Sequence, residues 1–138
     1  NHCLREDSDQ VDIVRKARRS STRVLAVTHS NGAADVLLEA LVQMKVPAVR
    51  LGHAASVAQG VQHRTLAAVA EKMSAGTPRG FELRQIAANC TLDNQARSSA
   101  TIELRENIKS CKDMILAVAP VIVTTCIGAW QLVDGNSA

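Results

Sequence analysis

Apolar positions along the chain change their period several times, and each change predicts an element. Residues 24–27, Val-Leu-Ala-Val, are a continuous apolar run between polar neighbours, the pattern of a strand buried on both faces of a parallel sheet. Ala33, Val36, Leu37, Ala40, Leu41 and Met44 then recur at the spacing of one helical face, until Lys45 and Pro47 stop the helix. Ser30, Asn31 and Gly32 supply N-cap chemistry at its start, and Asp35 is placed in its first turn, opposite the positive end of the helix dipole. Residues 48–51 form a second short apolar run, so 23–52 reads as one strand, helix, strand unit. A right-handed crossover leaves the turn at 28–31 on the carboxyl edge of the sheet, where open α/β sheets bind ligands.

Beyond a small-residue connector at 52–60 the period is helical. Val61, Leu66, Val69, Ala70 and Met73 predict a helix that stops near Gly76, Thr77 and Pro78. Leu83, Ile86, Ala87 and Cys90 predict a second, broken by the polar stretch 91–99. Leu104, Ile108, Cys111, Ile115 and Val118 form a short heptad seam on a third helix over 99–118, an arm roughly 30 Å long at 1.5 Å per residue. Pro120 ends it, residues 121–124 return as a third buried strand, and 125–129 turn into small residues. Four segments result: a charged linker or weak helix at 1–22, the strand and helix core at 23–60, a helical stalk at 61–119, and a return strand at 120–138 with no natural domain end.

Composition narrows the choice. The 138 residues match one domain or a piece of one, and a 46% apolar content fills a core. With one Phe, one Trp and no Tyr, a stacking platform for bases is excluded, so any nucleic-acid contact is to the backbone. A net charge of +3 is compatible with a polyanionic partner without requiring one. The basic cluster Arg15, Lys16, Arg18, Arg19 and Arg23 reads either as a phosphate-facing patch or as a solvated linker. Cys3, Cys90, Cys111 and Cys126 form no C-x-x-C pair, and His2, His29, His53 and His63 no metal-ligand spacing, so free thiols and no metal are expected. No run of ~20 apolar residues and no signal peptide is seen, which predicts a soluble, intracellular chain, cytoplasmic or nuclear.

Two predicted strand ends carry the candidate chemistry, Thr28-His29-Ser30-Asn31 and Thr124-Thr125-Cys126-Ile127-Gly128. Hydroxyls, a side-chain amide and helix N-terminal N–H groups suit phosphate oxygens, although Ser and Asn at a helix start also serve as simple caps. The order of pieces resembles superfamily 1 ATP-dependent helicases of the type acting in nonsense-mediated RNA decay and in DNA replication and repair. Their strand, Pro-Ser-Asn-like turn and helix stand here as residues 24–35, with His29 where the family commonly has Pro. Their Arg-Leu-Gly strand end is matched by Val49-Arg50-Leu51-Gly52, and their Thr-Cys-x-Gly-Ala strand end by Thr125-Cys126-Ile127-Gly128-Ala129. The resemblance spans about residues 23–132 and is weakest through the stalk.

What the resemblance implies is an α/β fold, a partial parallel sheet of the RecA-like, P-loop NTPase kind interrupted by an inserted helical stalk. It further implies contact with the sugar-phosphate backbone of single-stranded RNA or DNA through Ser30, Asn31, Thr125 and Gly128. ATP and Mg2+ would serve the full-length enzyme and bind no residue of this chain. None of the seven glycines begins a G-x-x-x-x-G-K-[ST] loop, and no Asp-Glu pair follows the third strand. The chain is therefore expected to be an internal fragment of a helicase motor, inactive alone and without catalytic residues. Two other readings stay open: a doubly wound enzyme domain binding a small phosphorylated ligand at the Ser30 edge, and an interaction module whose helical stalk docks a protein partner.

Overall fold

The computed structural model describes residues 10–16 and 23–133; Arg18 and Arg19 of the basic cluster, Ala17, Cys3, His2 and the tail 134–138 lie outside the described residues. The elements are α1 (10–16), β1 (Val24–Thr28), α2 (Asn31–Gln43), β2 (Val49–Arg50), 3-10 turns at Ala54–Ser56 and Gln59–Arg64, α3 (Leu66–Gly76), α4 (Pro78–Ala88), α5 (Asn94–Val118), β3 (Val121–Thr125) and α6 (Cys126–Val133). They form two compact units, one of Asn1–Leu66 with Val118–Ala138 and one of Ala67–Ala117.

This architecture corrects the expected α/β, RecA-like fold class. Among the described residues 70% are helical and one small parallel sheet has three strands, which does not make a RecA-like, P-loop NTPase domain. The apolar run at 48–51 yields only two paired residues, Val49 and Arg50, and nearly everything between Ala54 and Val118 is helical, so little chain remains to extend the sheet.

Within the sheet unit the strand order is β1-β3-β2, all parallel. Burial on both faces belongs to β3, where Val121, Ile122, Val123 and Thr124 are all buried. It does not belong to β1, an edge strand in this sheet whose Leu25 and Val27 are 47% and 44% exposed. The core is closed by α2 and by α1, whose Val11 and Val14 are buried among Leu37, Leu38, Leu41, Val121 and Val123.

Helix α2 begins as its residues dictate: Ser30 is the N-cap, and its hydroxyl oxygen accepts from the Ala33 N–H at 3.1 Å. Its buried face is Ala34, Leu37, Leu38 and Leu41, one step round from the predicted face, so Val36 and Met44 are exposed. In a helix where nearly every position from Val36 to Val42 is apolar, spacing alone does not choose between adjacent faces. Asp35 lies past the first turn, which holds no acidic residue, so its predicted dipole role fails; the carboxylate faces Arg50 instead. The helix closes with Lys45 in the left-handed region at φ 58°, its N–H donating to Val42 O and that of Val46 to Leu41 O, a Schellman closure.

In the helical unit, Thr77 caps α4 with Pro78 at its first position, and the Asp93 carboxylate accepts from the Ala96 N–H at 2.7 Å to start α5. Residues 94–99, expected to break a helix, therefore open one, and the 25 residues of α5 span about 37 Å. Of its seam, Cys111 and Ile115 are buried while Val118 is 68% exposed. The three helices are joined by Ser74 Oγ donating to Asn107 Oδ1 at 2.5 Å, by Arg84 Nη1 donating to Ser74 Oγ at 3.2 Å, and by a two-pronged Arg79 contact to Glu103 at 2.7 Å. No helix of the described residues is long and apolar enough to cross a membrane.

Candidate functional site

The two strand ends meet. Thr28 lies opposite Thr125 in the β1–β3 register, and Cys126 Sγ approaches Thr28 O at 3.5 Å, so the turn at 29–31 and the start of α6 sit side by side on the carboxyl edge of the sheet. Each turn ends in a helix N-terminus, α2 on one side and α6 on the other, whose first N–H groups have no intrahelical acceptor. The edge is thus lined with hydrogen-bond donors and carries the positive ends of two helix dipoles.

The side chains add donors of the same polarity. Ser30 Oγ accepts from Ala33 N, and Thr125 Oγ1 accepts from Gly128 N at 3.4 Å, which leaves both hydroxyl protons free to donate. Thr28 Oγ1 donates to Ser30 O at 3.0 Å and tightens the turn. Asn31 Oδ1 accepts from Arg50 Nη2 at 2.9 Å. Because a guanidinium only donates, the atom it meets must be the amide oxygen, so the Asn31 NH2 group is the end left for a ligand. Gly128 lies in contact with Thr124 Oγ1, where a Cβ would overlap that hydroxyl, and only glycine allows α6 to start this close to β3.

Behind the edge sits a polar group that periodicity did not single out. Arg50 is 0% exposed at the end of β2. Its Nη1 donates to Leu51 O, its Nη2 to Asn31, and its Nε lies 3.5 Å from Asp35 Oδ1. The last contact is a charge pairing without hydrogen-bond alignment, since Nε and Oδ1 otherwise lack partners. Asp35 Oδ2 accepts from Ala58 N at 3.0 Å and ties the connector after β2 to α2. Gly52, at φ 143°, lets the chain pass over the guanidinium; a Cβ there would stand 2.9 Å from Nη1. The sequence signal for this group was available: an arginine inside Ala-Val-Arg-Leu-Gly must either end the strand or be buried with a partner.

Ser30, Asn31, Thr125 and Gly128 are therefore brought to one edge, whereas His29 belongs to a different feature. It lines a cavity of about 690 Å³ along the free side of β1, walled by Ile13, Leu25, Val27 and Val36 and reaching Thr28, Gly32 and Ala33 beside the Ser30 turn. Of the basic cluster, Arg15 and Lys16 fall on α1, while Arg23 Nε donates to Ala119 O at 3.1 Å and supports the chain entering β1. Among the described residues the sheet has these three strands. Of the stalk seam, Cys111 and Ile115 are buried and Val118 is exposed. No family model matches the chain, and no curated protein matches it either.

Proposed function

We propose that this chain is the part of an ATP-dependent helicase, working in the cytoplasm or nucleus, that grips the sugar-phosphate backbone of a single RNA or DNA strand. The observation that supports it is the pairing of Thr28 with Thr125, which sets the Ser-Asn turn and the Thr-Cys-x-Gly turn next to each other on one donor-lined edge. A row of hydroxyl, amide and backbone N–H donors binds phosphates, and the one exposed ring on α6, Trp130, is no platform for stacking successive bases. The sequence order of the same two turns, resembling the helicase family, supplies the second line of support. The chain holds no phosphate-cradling loop among its seven glycines, so ATP and Mg2+ would be held by other parts of the full-length protein and none of the residues of this span is assigned a catalytic role.

The test is strand binding by fluorescence anisotropy on labelled single strands of several sequences. Ser30→Ala and Thr125→Ala should weaken all of them by a similar factor, since a phosphate contact carries no sequence information. Loss confined to one sequence, or no loss at all in folded variants, would reject the reading. Displacement of the strand by inorganic phosphate at equal site occupancy would favour a small phosphorylated ligand instead.

A further inference from the structure

We infer that Arg50 is a positioning residue for the phosphate-binding edge: from its buried site it fixes the Asn31 side chain oxygen-inward, so that the amide NH2 faces the strand. The inference rests on the strand-gripping reading and names the device that sets the edge's polarity. Three observations carry it. Arg50 is fully buried and cannot itself reach a ligand, yet it places a donor 2.9 Å from Asn31 Oδ1. It is held in that place independently of Asn31, by Leu51 O and by the 3.5 Å charge pairing with Asp35, whose side chain is only 14% exposed. Gly52 at φ 143° closes over the guanidinium, a conformation with no other task visible in the structure than to make room for it.

The physical argument is one of orientation. An asparagine amide offers a donor at one end and an acceptor at the other, and a free one presents either to an incoming phosphate. Only the donor end is useful to an anion, and the acceptor end repels it. A guanidinium behind the amide removes the wrong orientation, because it has no acceptor to offer the NH2 group. Lysine would not replace it. A single ammonium cannot span Leu51 O, Asn31 Oδ1 and Asp35 at once in the fixed fork that arginine provides.

The experiment uses the whole chain and a fluorescein-labelled oligothymidylate, with 15N NMR of the Asn31 side-chain amide as the second readout. Arg50→Lys and Asn31→Ala should each weaken binding by roughly tenfold, the scale of one hydrogen bond to a charged group. The double variant should be no weaker than either one, because both changes remove the same oriented donor. In Arg50→Lys the two Asn31 amide proton signals should move and exchange faster with water. Additive losses, or an unchanged Asn31 signal with unchanged affinity, would overturn the inference while leaving the strand reading intact. If instead Ser30→Ala and Thr125→Ala bind as the parent does, the strand reading fails, and the phosphate role of Arg50 fails with it even where the Asn31 signal moves. Should Arg50→Lys not fold, Asn31→Asp carries the test. It keeps an acceptor for Arg50 but turns an oxygen outward, so it should melt no lower than the parent and bind the strand more weakly than Asn31→Ala. Parent-like binding by Asn31→Asp would overturn the proposal.

Discussion

Gly128 stands directly against the hydroxyl of Thr124, a fully buried side chain four residues earlier in β3 whose Oγ1 has no hydrogen-bond partner. The contact sets how closely α6 follows β3, and with it where Thr125 faces. Gly128→Ala must push that hydroxyl aside in a packed site and should cost about 1–3 kcal/mol by urea unfolding. Adding Thr124→Ala to Gly128→Ala should recover part of the loss, a coupling that two independent sites would not show.

Ser30 caps α2, and the proposed strand contact would be a second duty; the two separate by measurement. As N-cap it accepts from Ala33 N, so Ser30→Ala should lower stability by about 1 kcal/mol in a thermal melt. As a strand contact it donates its proton, so the same variant should also lose single-strand affinity after correction for the folded fraction. Ser30→Gly should cost only a few tenths of a kcal/mol in stability and lose the same affinity.

Lys45 adopts φ 58° in the closing turn of α2, a conformation that costs a residue with a side chain about 1 kcal/mol. Lys45→Gly should therefore raise the unfolding free energy by up to about 1 kcal/mol without altering strand binding, because the residue closes the end of α2 far from the Ser30 cap. A drop in the urea midpoint would show that the lysine side chain contributes more than its backbone costs.

The purified chain should show no ATP hydrolysis, with or without single-stranded RNA or DNA, in a phosphate-release assay. Turnover that follows the protein through purification would mean that an active site exists among residues other than those assigned here.

How far the sequence led depends on the kind of signal. Short β-branched runs placed all three strands within a residue or two, and Ser30 marked the start of α2; Gly76, Thr77 and Pro78 read only as the end of α3, and the same Thr77 and Pro78 also open α4. Parallel topology placed the two strand ends on one edge of a sheet; that β1 and β3 are direct neighbours, with Thr28 facing Thr125, is known from the fold alone. The fold class was not legible, because the same runs fit a large sheet as well as the small one formed, and the length of β2 depends on partners that no local pattern reveals. The buried face of α2 was missed by one step because Val36 to Val42 offered apolar residues all round. Asp35 was assigned to the helix dipole because its true partner, Arg50, is in contact only once β2 has folded back beside α2. A buried cation announces itself in sequence by sitting in an apolar run, but which groups will surround it is a property of the assembled layers.

The strand order β1-β3-β2 has a consequence for how the molecule is made. Among the described residues both β1 and β2 find their strand partner in β3, apart from a single bridge between Arg50 and Thr65, and the whole of Ala67–Ala117 is inserted before it. A chain emerging from the ribosome must therefore hold two unpaired strands, Leu25 and Val27 among their residues, while the helical unit is synthesised and free to fold on local contacts alone. The sheet and the donor edge built on it come last, in one step set by the arrival of β3. Synthesis that pauses before Val121 should leave a folded helical unit beside a protease-sensitive, chaperone-binding segment, and release of the pause should create the donor-lined edge and the core together.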